Sequence, residues 1–453
     1  MMHDSFHIMT FGCQMNVNDS DWLARSLRQR GLQDAPLEEA GVIILNTCSV
    51  RDKPEQKVYN ALARIRHATR HTPQCFVVVA GCVAQQIGTA LFTRFPQVRL
   101  VVGGDGIAAA PDAILRLCAA PALTLSLVDF SQTYPERDTA LTPAALGKTQ
   151  MPPVAYVNIM QGCDNYCAYC IVPYTRGRQK SRSTAAVLQE CRSLLGAGAK
   201  EITLLGQNVN AFGQDDQGDG TTFAALLHQV AGLEGLKRLR FVTPHPKDFS
   251  PEVVRAFGEL PVLCPRVHLP LQAGSDAVLA RMGRRYDSAR FLALVAALRA
   301  VRPDMALSSD IIVGFPGESE DDFTQTCRML EQVPFMASYS FCYSDRPGTK
   351  AEMLPDKIPP NVKLERLARL QAVQERLGQA WLNARVGDTT TVLIEGASRR
   401  AAPSTQGASW QGHDPYGATV HLTLPEGQGA IGQLRTGKII TAKKHSLVAQ
   451  AVS

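Results

Sequence analysis

Short apolar runs that each close on a turn and lead into a helical stretch recur through the first ~120 residues, and this alternation restricts the fold more than any other feature. The runs cover 6–11, 42–45, 76–80 and 98–102, and helical stretches begin near Asp19, Asp52, Val83 and Ile107. Strands alternating with helices imply a parallel sheet wrapped on both faces, so 1–122 is expected to be a Rossmann-like α/β domain. Residues 123–150 lose this pattern, carry Pro and Thr instead, and read as a linker. A second β/α series follows, with strands VAYVNIM, EITLLG, RLRFVT, RVHLPL, ALSSDIIVGF and ASYSFCY. Six such units predict a (β/α)6 partial TIM barrel over 151–384, with its active-site groups at the carboxyl ends of the strands. A long charged helix, about 361–384, leads out of it. Beyond it, 385–453 alternates in β fashion between Gly-rich turns, which predicts a small β-barrel of about five strands.

A chain of 453 residues is too long for one core, which agrees with this division. A net charge of +6 is compatible with a polyanionic partner such as RNA but does not demand one. The opening MMHDSFHIMTFGCQMN lacks the basic-then-apolar order of a signal peptide, and no apolar stretch is long enough for a bilayer. A cytoplasmic protein with no membrane partner is therefore expected. In that reducing compartment the 12 cysteines point to metal binding or catalysis before disulfides.

Cys163-Asp-Asn-Tyr-Cys167-Ala-Tyr-Cys170 follows directly on a predicted strand. Three thiolates on a tight loop can hold three corners of an iron–sulfur cubane and leave the fourth iron open to a chelating ligand. A zinc knuckle is the alternative, but no His or fourth Cys follows at a suitable spacing. Cys13, Cys48 and Cys82 share no spacing motif. They share a seat: MTFGC, ILNTC and VVAGC each close an apolar run on a cysteine. In a parallel α/β sheet such positions line one carboxyl edge, where ligand sites form, so a second cluster with an open corner fits. Gln14, Asn16, Asn46 and Gln85 flank these cysteines. Unliganded thiols in apolar strands remain the alternative.

The C-x3-C-x2-C run, with Tyr169 before its last cysteine, resembles the radical-SAM signature. FGCQMN, LNTCSVRDKPEQKVY, GCVAQQ, QGCDNYCAYCIVPYTRGRQKSR, LLGQNVNAF, HLPLQAGSD, SSDIIVGFPGE and SDRPGT resemble, in order, the motifs of tRNA methylthiotransferases of the MiaB type. The likeness runs from about residue 5 to 385 and implies the cofactors: two [4Fe–4S] clusters, at Cys163/Cys167/Cys170 and at Cys13/Cys48/Cys82, with S-adenosylmethionine (SAM) on the first. It sets Tyr169 near the adenine of SAM and Gly206, Gln207 and Asn208 near its methionine end. It sets Gly314 and Gly317 where backbone approaches the adenosine. His268, Gln272 and Ser275 could face SAM or substrate, and His268 reads equally as a hydrogen-bonded core histidine. Arg176, Arg178, Lys180 and Arg182 form a cationic loop that could hold the SAM carboxylate or RNA phosphates, or simply be solvated. Gln179 departs from the family, which commonly carries Glu in this stretch. Cys75, Cys118, Cys191, Cys264, Cys327 and Cys342 match no motif.

The tail resembles a TRAM domain in VLIEGASRR and KHSLVAQ, but its usual Gly-Arg-Thr-x-x-Asn segment is missing, and QGASWQGHDPYG stands near that place. Trp410, His413 and Tyr416 could stack on bases or pack within the loop. Arg399, Arg400, Lys443 and Lys444 could meet phosphates. The resemblance implies a monomeric enzyme that adds a 2-methylthio group to isopentenyladenosine beside the anticodon of tRNA, on the anticodon stem-loop. One SAM would serve as methyl donor and one as radical source, with an electron donor and a sulfur or cluster-supply system as further partners. Relatives acting on threonylcarbamoyl-adenosine or on a ribosomal-protein aspartate are the alternatives, and a cluster-bearing RNA-binding protein without turnover is a remote one.

Overall fold

Adjacent residues along the first strands belong to different cores. Val42, Ile44, Val78 and Leu100 pack on one side with Phe6, Trp22 and Leu27. Ile43, Leu45, Val77 and Val79 pack on the other with Val58, Leu62 and Ile65. Such alternation requires strands covered on both faces. The computed structural model describes residues 3–49, 54–72, 74–142, 151–216, 218–398, 408–425 and 427–452.

The N-terminal sheet comprises β1 (Ser5–Thr10), β2 (Gln33–Asp34), β3 (Val42–Thr47), β4 (Phe76–Gly81), β5 (Val98–Val102) and β6 (Leu125–Leu127). They lie in the order β2-β1-β3-β4-β5-β6, all parallel. Helices α1 (Gln14–Gln29), α2 (Pro54–Ala68) and α3 (Cys82–Ile87) follow β1, β3 and β4. Helix α1 begins at Gln14 rather than near Asp19, which makes Cys13 its N-cap. Asp52 lies outside the described residues.

The stretch read as a linker is tied down over its described part. It supplies β6, and Trp22 Nε1 donates to Asp138 O at 2.7 Å. Arg137 pairs with the fully buried Asp19 at 2.8 Å. Pro and Thr suppress periodicity without preventing such anchoring, so composition alone concealed it. Residues 143–150 lie outside the described residues.

The central unit contains β7 (Val154–Asn158), β10 (Glu201–Leu205), β11 (Arg238–Phe241), β12 (Arg266–His268), β13 (Ala306–Val313) and β14 (Ala337–Cys342). Parallel pairing joins β7-β10-β11 and β12-β13-β14, and a bridge between Leu239 and Leu263 links the halves. This is the expected open six-stranded barrel, over one continuous apolar core. A short antiparallel pair, β8 (Met160–Gln161) and β9 (Lys180–Ser181), brackets the Cys163–Cys170 loop.

The C-terminal unit is a closed barrel of β15 (Thr389–Ala397), β16 (Ala408–His413), β17 (Thr419–Leu424), β18 (Leu434–Ala442) and β19 (Leu447–Ala451). Strand β16 comes from the segment that fits no motif. It docks on the amino ends of the central strands, away from the cysteines. Arg238 donates to His413 O and Thr391 O, and Arg240 to Asp414 O and Pro415 O. Tyr416 donates to Asp304 at 2.9 Å and lies against Trp381, so it is an interdomain contact. His413 pairs with Glu395 at 2.5 Å, and Trp410 packs against the barrel core. These three aromatic side chains are engaged by protein, which supports their packing role. Lys444 pairs with Glu375 at 2.6 Å, and Arg399 and Arg400 lie outside the described residues.

Candidate active site between two cysteine triads

A glycine with positive φ precedes two cysteines of the N-terminal triad and one of the other: Gly12 (+129°), Gly81 (+92°) and Gly162 (+80°) stand before Cys13, Cys82 and Cys163. A Cβ on Gly12 would lie 2.4 Å from the Cβ of Cys48, and one on Gly81 would lie 2.2 Å from Thr47 O. Only glycine combines that backbone with that closeness. The strand ends of β1, β3 and β4 are thereby pinched together, with Cys48 and Cys82 buried and Cys13 half-buried.

A side-chain contact connects two of the three thiols. Cys13 hydrogen-bonds with Cys48. Cys13 Sγ also donates to Asn16 Oδ1 at 3.5 Å. Asn16 Nδ2 in turn donates to Thr47 O at 2.8 Å and Asn46 Oδ1 at 3.0 Å. The Cys13 thiol is lowered to about 6, chiefly by its bond with Cys48 and further by the Arg176 cation, against the opposing effect of burial. Thiolates are the ligating form. Gln85 instead donates to Val128 O, just past β6, and Gln14 is exposed.

The second triad sits at the carboxyl end of β7. Cys167 is buried, and Cys163 and Cys170 are half-buried. Burial pushes the Cys163 thiol up to about 11 and that of Cys170 up to about 12. Buried thiols of this kind lose their protons to a bound metal centre, which supplies the missing positive charge. Among the described residues no three His, Cys, Asp or Glu side chains converge as the ligands of one ion would. Three thiolates with no fourth side-chain ligand would leave a tetrahedral zinc site incomplete, whereas a cubane can be held by three and keep one iron open.

Arg284, which motif reading overlooked, lies beneath this loop with 4% exposure. Its Nη1 reaches Cys167 Sγ at 3.5 Å and the Tyr169 hydroxyl at 3.3 Å, while Nη2 donates to Pro270 O. The only hint of it was the basic pair in GRRY. Around the same strand ends, several buried polar atoms lack partners: both amide atoms of Asn158, Asn165 Nδ2, Asn208 Oδ1 and His245 Nε2. Orphans of this density demand an explanation. A ligand rich in amino, carboxylate and hydroxyl groups, as SAM is, would satisfy them.

Several expected cofactor contacts are engaged elsewhere. Arg182 is buried and bound to Glu190, Glu136 and Asn158 O, so it braces the barrel and is not a free SAM or phosphate ligand. Lys180 is likewise buried on Asp105 at 2.5 Å, and Arg178, exposed, pairs with Asp164. Gln207 accepts from Gly162 N at 2.6 Å and meets Met15 through its amide nitrogen, which links the GQN turn to the residue after Gln14. Gly206 leaves room for Met160, and the space beside Gly314 is filled by Lys363. Gly317, with φ +75°, faces the Arg281 guanidinium. Asn208 keeps its oxygen unpartnered. His268 is held by Ser308 and Asp310, both at 3.1 Å, in the manner of a hydrogen-bonded core histidine. Gln272 is buried with φ +74° in a bridge to Ile311, and Ser275 caps a helix while donating to Asp322 at 2.5 Å. Gln179 donates to Ala211 O at 2.7 Å, a bond that an ionised Glu could not make.

One side chain from the segment after the second triad reaches the first triad across the domain boundary. Arg176, six residues past Cys170, is 2% exposed and enters the N-terminal site, where Nε reaches Cys82 Sγ at 3.4 Å. Burial works against its charge, but Cys82, Asp19 and Cys13 outweigh that and raise it above the ordinary arginine value.

Comparison with known proteins gives two family matches, "Uncharacterized protein family UPF0004" over 5–103 and "Radical SAM superfamily" over 157–330. A tRNA-2-methylthio-N(6)-dimethylallyladenosine synthase of Nitratidesulfovibrio vulgaris (strain DP4) is 65% identical over 99% of both chains. One of the same name from Lawsonia intracellularis is 55% identical, again over 99% of both. Among solved structures, the radical S-adenosylmethionine methyltransferase TsrM of Kitasatospora setae matches with a TM-score of 0.55 at 13% identity, covering 78% of this chain and 74% of that one. At that identity it speaks for the fold.

Proposed function

Since the chain belongs to the tRNA-2-methylthio-N(6)-dimethylallyladenosine synthase family of radical-SAM enzymes, we propose that it adds the 2-methylthio group to N6-dimethylallyladenosine beside the anticodon of tRNA. The family implies SAM and a [4Fe–4S] cluster, which we assign to Cys163, Cys167 and Cys170. A second cluster, on Cys13, Cys48 and Cys82, is our further reading. The observation that supports it is the contact with Cys82 of Arg176, which lies six residues past Cys170. Among the described residues no helix is long and apolar enough to cross a membrane, and a cytoplasmic site of action suits a tRNA substrate.

When bound, the first cluster and SAM would supply radical chemistry, and the second would hold the sulfur to be transferred. The chain's own residues hold and shield these groups. Asn158, Asn208 and His245 offer polar atoms at three successive strand ends, and Arg284 fixes the hydroxyl of Tyr169. The inner barrel face carries His268, Ser308, Asp310 and Tyr339, which register places side by side. Tyr339 is exposed, with its ring 5.9 Å from that of His268, and offers a surface for a base turned out of its stack. An external electron donor, a sulfur supply and a monomeric state complete the proposal.

Nucleosides of tRNA from cells with and without the protein test the assignment. Loss of 2-methylthio-N6-dimethylallyladenosine is the expected result, and unchanged tRNA would reject it. Replacing Cys13, Cys48 and Cys82 together with Ala should stop methylthiolation while 5′-deoxyadenosine still forms from SAM. Unchanged iron content in that variant would reject the second cluster.

A further inference from the structure

Arg176 is carried by the loop of one cysteine triad and ends in the other. Its Nη2 donates to Asn16 Oδ1 at 3.4 Å, the same oxygen that accepts from Cys13. Both Nη1 and Nη2 reach Asp19 Oδ2, at 3.3 and 3.2 Å. The second oxygen of Asp19 is taken by Arg137 at 2.8 Å. Gly104 makes room for this arrangement, since a Cβ there would lie 2.9 Å from Arg176 Cδ.

The charges do not balance within this network. One carboxylate, 0% exposed, faces two guanidinium groups, of which Arg176 is 2% exposed and Arg137 is 6% exposed. A buried cation without a counter-charge is costly, and a site keeps one only where an anion completes it. The groups within reach of the surplus charge are the thiols of Cys82 and Cys13. Neither phosphate nor the SAM carboxylate can be its partner where it stands, because the guanidinium is enclosed by residues of the N-terminal domain.

We infer that Arg176 is a positioning residue that holds and electrically balances the anionic group carried by Cys13, Cys48 and Cys82, reaching it from the loop of Cys163, Cys167 and Cys170. This rests on the reading that the N-terminal thiols hold a cluster. Asp19 and Arg137 set how much of the Arg176 charge that group feels. Removing Arg176 takes a positive charge away and disfavours the added electron of a reduced cluster. Removing the charge of Asp19 does the opposite.

The test uses the full chain with Cys163, Cys167 and Cys170 replaced by Ala, so that the N-terminal site alone contributes iron and an electron paramagnetic resonance signal. In that background Arg176→Met, Arg176→Lys and Asp19→Asn are compared by iron and sulfide per chain and by redox titration of the signal. Arg176→Met should lower the midpoint potential or lose the cluster, Arg176→Lys should restore most of it, and Asp19→Asn should raise the potential. If Arg176→Met fails to fold, the upward shift in Asp19→Asn carries the test. An unchanged potential in Asp19→Asn, or shifts of the same sign in Asp19→Asn and Arg176→Met, would overturn the inference. A background protein holding no more iron than one lacking all six cysteines would instead overturn the cluster reading on which it rests.

Discussion

Gly12 and Cys48 sit so close that a single added carbon on the glycine would come within 2.4 Å of the cysteine Cβ. The backbone of Gly12, at φ +129°, is also one that other residues adopt only under strain, at about 1–3 kcal/mol. Gly12→Ala should therefore push β1 and β3 apart at their carboxyl ends. The expected outcome is loss of the N-terminal iron, with SAM cleavage at the other triad retained, as read by iron content and 5′-deoxyadenosine. A variant with full iron content would mean that the pinch does not build the site.

Gln179 tests a departure from the family pattern. Its amide donates to Ala211 O and stands 3.4 Å from Asp215. Gln179→Glu would turn an oxygen toward the carbonyl and a second carboxylate toward Asp215. We expect a stability loss of about 1–3 kcal/mol at pH 7, relieved on acidification as the new carboxyl protonates. Urea denaturation at pH 7 and pH 5 measures both effects.

His245 should make the protein acid-sensitive. Burial, reinforced by the cations of Arg284, Lys247 and Arg285, lowers it to about 2, and Tyr286 packs edge-on against its ring. Its Nδ1 accepts from Lys247 N, so the neutral ring carries its proton on Nε2. Above the ordinary pKa of about 6.5 both folded and unfolded chains hold it neutral. As pH falls below that, the unfolded chain gains a proton that the folded one refuses, and stability drops. Between pH 7 and pH 5 the loss is about 2 kcal/mol. His245→Gln should lose less over the same interval in urea titrations, and an identical slope would remove His245 as the cause.

Arg240 anchors the small barrel through Asp414 O and Pro415 O, backed by Glu201 at 2.7 Å. Arg240→Ala leaves that buried carboxylate and two carbonyls without this donor, for an expected cost of about 2–4 kcal/mol. Limited proteolysis should then cut near Arg385 before the central domain is attacked. Simultaneous loss of both units would show that they unfold as one.

Much of the architecture was legible because burial on two faces writes itself into a strand as an unbroken apolar run, as in VIILNT and FVVVAG. The seats of Cys13, Cys48 and Cys82 followed from where those runs stop. The seats of Arg176 and Arg182 were not legible, because sequence does not reveal that Asp19 or Glu190 waits across a fold. Arg284 escaped notice for the same reason, since one arginine in a polar turn resembles any other until its burial is known. Strands β6 and β16 were missed on different grounds. The first has only three residues, too few to show a period, and the second, ASWQGH, takes its stability from partners on both sides more than from its own β-propensity.

The C-terminal barrel is joined to the rest of the molecule by carbonyls that satisfy Arg238 and Arg240. Deleting it would strip those arginines of their carbonyl acceptors, leaving them Glu201 alone, so a truncated enzyme would be damaged even if the barrel never met nucleic acid. Its contribution to tRNA recognition has to be sought by charge reversal on its outward face, at positions such as the solvent-exposed Lys438 or Lys443, with the fold left whole.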